Sequence, residues 1–317
     1  MPCSAIATSV PQLLSINHET VYRYQRPVTF HEHRALFRPR DSHDLRVIDA
    51  QLTLSPPGHV RWIHDVFSNS IALITFDQAA DQLRFESRIE IEHYGLHEPN
   101  FPIRTYAATY PFRYDNDQVV DLLPTLQCHY PDPEGALSAW ARQFVDPGGV
   151  DTQELLVRIT RAIKAQFTYQ PRAIHGTQAP TETLALGSGT CRDFALFMIE
   201  AVRSLGMPAR FVTGYLYDPS IDPSADGAGS SMVGSGATHA WVQVYLPGAG
   251  WVEFDPTNGL VGGGHLIRVA VARDPRQAIP LSGSYHGYAS DFIEMQVDVR
   301  VTAGDRSSPD AASPTAT

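Results

Sequence analysis

The chain has 317 residues, 43% of them apolar and 18% charged, with a formal net charge of −10. That length supports two domains, each with its own core. The acidic balance argues against nucleic acid as a partner, because phosphate contacts need a basic surface, and against an electrostatic hold on anionic membranes.

The first residues, MPCSAIATSVPQLL, have no basic segment and no sustained apolar run, so no secretory leader is expected. No stretch approaches the length of a membrane span. Three cysteines, Cys3, Cys128 and Cys191, do not make a disulfide framework. A free reactive thiol suits a reducing compartment, so a cytoplasmic location is expected.

Residues 13–94 read as strands. The run 16–24 alternates in part and ends before Pro27, and 45–54 is closed by Pro56, Pro57 and Gly58. Residues 33–38 are a further candidate. The runs 61–67 and 70–76 suggest a hairpin around Ser68 and Asn69, and 83–94 alternates most cleanly. Six or seven short strands with turns between them predict an all-β sandwich over residues 1–95. His31 and His33, two apart, would share a face of a strand and be able to bind a metal; exposed histidines without that role are the preferred reading, and no metal site is predicted.

Residues 96–133 are broken repeatedly by proline and read as an ordered linker, with Cys128 structural. Helices follow in a domain spanning residues 134–302. One covers 134–144, with Leu137, Trp140, Ala141 and Phe144 on one face. The next is capped by Asp151 or Thr152 and carries a stripe of Leu155, Leu156, Ile159, Ile163 and Phe167. The most informative stretch is GSGTCRDFALFMIEAVRSLG, residues 187–206. Cys191, Phe194, Ala195, Met198, Ala201, Val202 and Leu205 make a helical stripe, and Phe197 and Ile199 widen it, so the helix should be buried on most sides. Thr190 is a good N-cap with Asp193 completing a capping-box pattern, and Gly206 with Pro208 is a stop signal. Cys191 then opens the helix, where unpaired N–H groups and the positive dipole end favour a thiolate.

Residues 209–217 read as a strand. Residues 218–238 form a long polar loop, read either as a cover over a cleft or as a tolerated insertion. Residues 238–246 and 251–255 read as two strands joined by a turn at Pro247 to Gly250. His239 and Asp255 fall at the same edge of that hairpin. A cysteine on a helix N-terminus, a histidine at a strand start and an aspartate at the next strand's end can form a nucleophile, a base and an orienting group. Asn258 is an alternative to Asp255 as the third member. Arg192 is read as solvent-facing and Trp241 as core. A strand at 291–301 is expected to close the sheet, and residues 303–317 are expected to be disordered. Helices followed by an antiparallel sheet make this an α+β domain.

The runs GTCRDFALFMIEAVRSLGMPARFVTGYL, HAWVQVYLPGAGWVEFDPTNG and PTETLALGSG resemble the core of the bacterial transglutaminase-like superfamily, over roughly residues 134–281. The resemblance implies a papain- and transglutaminase-like catalytic core behind an N-terminal β-sandwich. It implies Cys191 as nucleophile, His239 as general base and Asp255 as the residue that orients it, acting on a peptide or protein substrate. It implies acyl transfer at an amide. Hydrolysis is preferred, because similar bacterial members are commonly labelled cysteine proteases. Isopeptide cross-linking and a non-catalytic peptide-binding module are the alternatives. Tyr169 and Gln178 are candidates for a second oxyanion donor. No cofactor is expected: there is no phosphate-binding glycine loop and no acidic calcium loop.

Overall fold

The computed structural model of the protein describes residues 11–95, 101–171, 176–222 and 231–304. The N-terminal stretch folds as β1 (Gln12–Phe30), β2 (His33–Ala35), β3 (Leu45–Ser55), β4 (Gly58–His64), β5 (Ser70–Phe76) and β6 (Ala80–His93). The period-two pattern decides which side of each strand is buried: in β6, Ile89 and Ile91 turn inward while Arg88 and Glu90 face water. Next come β7 (Thr109–Tyr110), α1 (Asn116–Leu126), α2 (Ala136–Arg142), β8 (Val150–Asp151) and α3 (Thr152–Gln166). They are followed by β9 (Thr168–Tyr169), α4 (Pro180–Leu186), β10 (Ser188–Gly189) and α5 (Cys191–Ser204). The strands β11 (Ala209–Leu216), β12 (His239–Leu246), β13 (Gly250–Asp255), β14 (Leu260–Val261) and β15 (Leu266–Ala272) come after the helices. The described chain ends with β16 (Leu281–Ser282), β17 (Tyr285–His286) and β18 (Phe292–Ala303).

Three larger sheets result. One has the order β17-β1-β6-β3, with β18 also on β1; a second is β16-β2-β5-β4. These two enclose a core of Tyr24, Phe30, Phe37, Ile74, Phe76, Leu83 and Phe85, a sandwich to which β16, β17 and β18 contribute from beyond the residues 1–95 expected to form it. The third sheet, β14-β13-β12-β11-β15, is antiparallel throughout. Against one face of it lies α5, whose Phe194, Phe197, Met198, Ile199 and Val202 share a core with Phe211, Val242, Val244 and Phe254. Each such buried side chain contributes about 1.5–3 kcal/mol, so α5 is held by packing on nearly every side. The whole is an α+β domain joined to an all-β one, as expected from the order of elements.

One expectation is corrected, and one segment gains an element. Residues 96–133, read as an ordered linker, contain α1. Pro124 sits inside that helix and masks its pattern; it costs one backbone bond near the C-terminal end, where Gln127 N–H still closes onto Leu123 O. The strand expected at 291–301 does not extend the sheet that carries His239. As β18 it pairs antiparallel with β1, from Leu14 opposite Ala303 to Tyr24 opposite Phe292. The expectation for residues 303–317 lies outside the described residues, apart from Ala303 in β18 and Gly304.

The sandwich and the third sheet share buried surface. Leu14, Ile16, Ile89, Ile91 and Val299 pack against Tyr215, Ile267 and Val269. The Asn69 amide pairs with the backbone of Val271, donating to its carbonyl at 2.7 Å and accepting from its N–H at 2.9 Å. Among the described residues, no helix is long and apolar enough to cross a membrane.

Candidate active site

The site grows from the start of α5. Thr190 is the N-cap, and a capping box with Asp193 is present. The Asp193 carboxylate accepts from Thr190 N–H at 2.8 Å and Thr190 Oγ1 at 2.9 Å, and from Gln178 N–H at 2.7 Å. Gly189 must be glycine for this, since a Cβ there would lie 2.8 Å from Asp193 Cβ. The capping role expected of Asp193 is therefore seen, and the same carboxylate also ties in the segment at Gln178. Cys191 is the first residue of the helix and 8% exposed. Gly206, with a φ of +79°, stops the helix as expected; its N–H bonds to Arg203 O.

His239 opens β12 and Asp255 ends β13, and antiparallel pairing of Val242 with Phe254 brings the two together. His239 Nε2 lies 2.9 Å from Asp255 Oδ2, with both side chains fully buried. Burial opposes a charge on the imidazole, but the neighbouring Asp255 carboxylate outweighs it, and interaction with Cys191 adds to the effect; the His239 pKa is raised above its ordinary value. Burial likewise opposes the Asp255 charge. The imidazole, with hydrogen bonds from His239, Asn258 and Thr257 N–H, reverses that and holds its pKa below the ordinary carboxylate value. Each partner thus favours the charged form of the other. The other ring nitrogen, Nδ1, is buried and has no hydrogen-bond partner of ordinary geometry. A thiol within electrostatic reach of an unsatisfied ring nitrogen, at a helix N-terminus, can exchange a proton with that nitrogen.

Asn258 does not replace Asp255. Its Nδ2 donates to Asp255 Oδ2 at 2.8 Å, so it supports the carboxylate rather than the ring. Asp255 Oδ1 also accepts from Thr257 N–H at 2.9 Å. Trp241 is buried and stacked toward His239, with ring centroids 6.0 Å apart and an interplanar angle of 27°. Its indole N–H donates to Glu253, which also accepts from Gln243 and Arg268. Gln178 Nε2 donates to Ser188 O at 3.3 Å. Tyr169 lies one strand from the helix start, paired with Gly189. Burial pushes its phenol pKa up to about 12, and Cys191 and Asp193 add to the shift.

Other readings change. Arg192 does not reach into solvent: its guanidinium donates to Pro275 O at 2.7 Å and Ala278 O at 3.3 Å and lies over the Phe211 ring. His33 is buried against Phe30, Phe76 and Phe85, with Nδ1 donating to His31 O at 2.8 Å, whereas His31 is exposed. Among the described residues no group of three or more His, Cys, Asp or Glu is placed to hold a metal ion. Cys128 is exposed and lies far along the chain from this cluster, beside the Glu200 carbonyl. Two contacts were not legible in the sequence: the Asn258 bond to Asp255, and Gly234 seated on the imidazole, where a Cβ would meet Nδ1 at 2.6 Å. The only trace of them is the turn-forming composition of MVGSG and DPTNG.

Comparison with known proteins agrees with this architecture. Residues 138–256 match the transglutaminase-like superfamily core, and residues 14–92 match the bacterial transglutaminase-like N-terminal region. An uncharacterized Mycobacterium tuberculosis protein is 28% identical over 304 residues, covering 92% of this chain and 93% of its own. A Pseudomonas aeruginosa protein-glutamine gamma-glutamyltransferase is 32% identical over 108 residues, 31% of this chain and 15% of that one. Among solved structures, a candidate cysteine protease from Cytophaga hutchinsonii superposes with a TM-score of 0.68 at 20% identity, covering 94% of this chain and 93% of that one. Through residues 138–256 the chain is thus similar to the transglutaminase-like superfamily core, and through residues 14–92 to the bacterial transglutaminase-like N-terminal region.

Proposed function

We propose that this protein is a cysteine-nucleophile acyltransferase acting on amide bonds, most simply a peptidase or amidase. The observation that carries the reading is the buried His239–Asp255 pair at 2.9 Å, with Nδ1 left unpaired beside a cysteine that opens a helix. In this reading Cys191 gives its proton to Nδ1 and attacks the carbonyl carbon as thiolate, forming a C–S bond and an oxyanion. The Cys191 backbone N–H meets that oxyanion. Tyr169, a phenol near the thiol that burial keeps protonated, is the second donor in this reading. As the C–N bond breaks, the imidazolium protonates the leaving amine. Water then attacks the thioester with the neutral imidazole as base, the C–S bond breaks, and the acid is released. Asp255 holds the ring orientation and stabilises its charged form.

The name of the Pseudomonas aeruginosa relative supports a second reading, in which an amine replaces water as acyl acceptor and an isopeptide bond forms. The name of the Cytophaga hutchinsonii structure, similar over nearly the whole chain, supports hydrolysis. Two measurements test the proposal. Alkylation of Cys191 is followed against pH in the wild type and in His239→Ala; reactivity at neutral pH that is lost in the variant is expected, and equal profiles would sink the proposal. Peptide amides are then incubated with and without an added primary amine. Free acid in both is the hydrolase result; amide exchange in the second is the transferase result.

A further inference from the structure

Four contacts fasten the segment just before β12. Asp218 Oδ2 accepts from Met232 N–H at 2.6 Å. The Asn258 side chain pairs with Val233 in both directions: Oδ1 accepts from Val233 N–H at 2.9 Å, and Nδ2 donates to Val233 O at 3.0 Å. Val299 N–H in β18 donates to Gly236 O at 3.1 Å. Between these anchors Gly234, with a φ of +95°, rests against the imidazole, and a Cβ would lie 2.6 Å from His239 Nδ1. An L side chain is disfavoured there twice, by conformation and by space.

Of these anchors, Asn258 alone also touches the catalytic candidates, through its 2.8 Å bond to Asp255 Oδ2. One amide therefore fixes both the carboxylate that orients the ring and the backbone lying over the ring's other nitrogen. Its own backbone is held too, since Lys164 Nζ donates to Asn258 O at 2.6 Å. With this segment in place, Cys191 is 8% exposed and His239 1%. Gly234 lies against the ring nitrogen that meets the thiol in the acyl-transfer reading.

We propose that Asn258 is a positioning residue that holds Val233–Gly234 as one wall of the site and so sets the size of acyl group that reaches Cys191. The inference rests on the acyl-transfer reading for its substrate, but the wall itself is a steric property. It is therefore testable whether or not Cys191 proves to be activated. A slim acyl group, unbranched next to its carbonyl, fits such a wall. A bulky one has to displace a backbone held by two hydrogen bonds.

The test compares alkylation of Cys191 by iodoacetamide and by a bulky N-aryl maleimide, resolved from Cys3 and Cys128 by peptide mapping. In Asn258→Ala the ratio of bulky to small rates should rise, by roughly tenfold if two neutral hydrogen bonds are lost. In Asp218→Ala, which removes the anchor at Met232 and leaves Asn258 and the imidazole in place, the ratio should rise as well. A general loosening would instead raise both rates and leave their ratio unchanged. If Asn258→Ala does not fold, Asp218→Ala decides. A ratio unmoved in the folded variants overturns the proposal, while leaving the His239-dependent reactivity test untouched.

Discussion

At its C-terminal end α5 buries Glu200 beside Arg203, 2.7 Å apart and both almost fully enclosed; at its N-terminal end it begins with Cys191, which the proposed function couples to the buried His239–Asp255 pair. Both clusters are buried, paired and charged. At the C-terminal end every charge is matched. Arg203 donates to the carbonyls of Ala209, Thr125 and Arg273, and Glu200 accepts from His129 N–H at 2.8 Å and Tyr130 N–H at 3.2 Å. At the N-terminal end His239 Nδ1 is left over. Burial and ion pairing are therefore common to both ends. A ring nitrogen without an ordinary hydrogen bond, at the end the proposed function makes reactive, separates them.

The sharpest way to break the contrast is Asp255→Asn. Loss of the carboxylate should lower kcat/KM by about 10² to 10⁴, as for an orienting group in a triad. The sign of the pH effect follows from the pKa directions. Asp255 raises the His239 pKa against burial, so without its charge burial dominates and the imidazolium is lost at lower pH. In the wild type the stabilisation from this raised pKa is fully present below about 6.5 and is lost as pH rises through the folded value. The alkaline limb of the pH–rate profile should move down in the variant. An unmoved limb would mean that Asp255 does not tune the ring.

Arg203→Ala tests the other end. It leaves Glu200 charged, buried and without its guanidinium, a loss of about 3–5 kcal/mol read as a lowered denaturation midpoint. Alkylation of Cys191 per folded molecule should not change. A matching fall in that reactivity would show the two ends to be one cluster.

The smallest expected effect lies at the seam between sandwich and sheet. His18 Nδ1 is 2.9 Å from Tyr215 Oη and Nε2 is 3.0 Å from Thr20 Oγ1, and burial pushes the imidazole pKa down to about 4. Because the folded value is the lower one, the unfolded chain takes up the proton first. Stability should fall as pH drops from about 6.5 towards 4, by up to roughly 3 kcal/mol. In His18→Gln the melting temperature should vary less over that range; an equal slope would remove His18 as the cause.

Much of the N-terminal end of α5 could be read locally. A stripe of apolar residues, a Thr190 cap and a Gly206 stop are short-range physics, and so are the alternation of β12 and β13 and the turn that sets His239 near Asp255. Tertiary structure alone decided what meets what across the chain. His33 looked exposed because strand period does not say which face is covered; the aromatic rings of β1, β5 and β6 cover it. A proline hid α1, whose other backbone bonds tolerate it. The pairing of β18 with β1 spans nearly the whole chain, and alternation names no partner. Asn258 is a rival to Asp255 in the sequence because it lies only three residues beyond it, just past the hairpin. Packing turned its amide to Asp255 and Val233 instead of the ring. Periodicity and caps act within a few residues and are written in the sequence; hydrogen-bond partners and the wall over an imidazole depend on where distant segments come to rest.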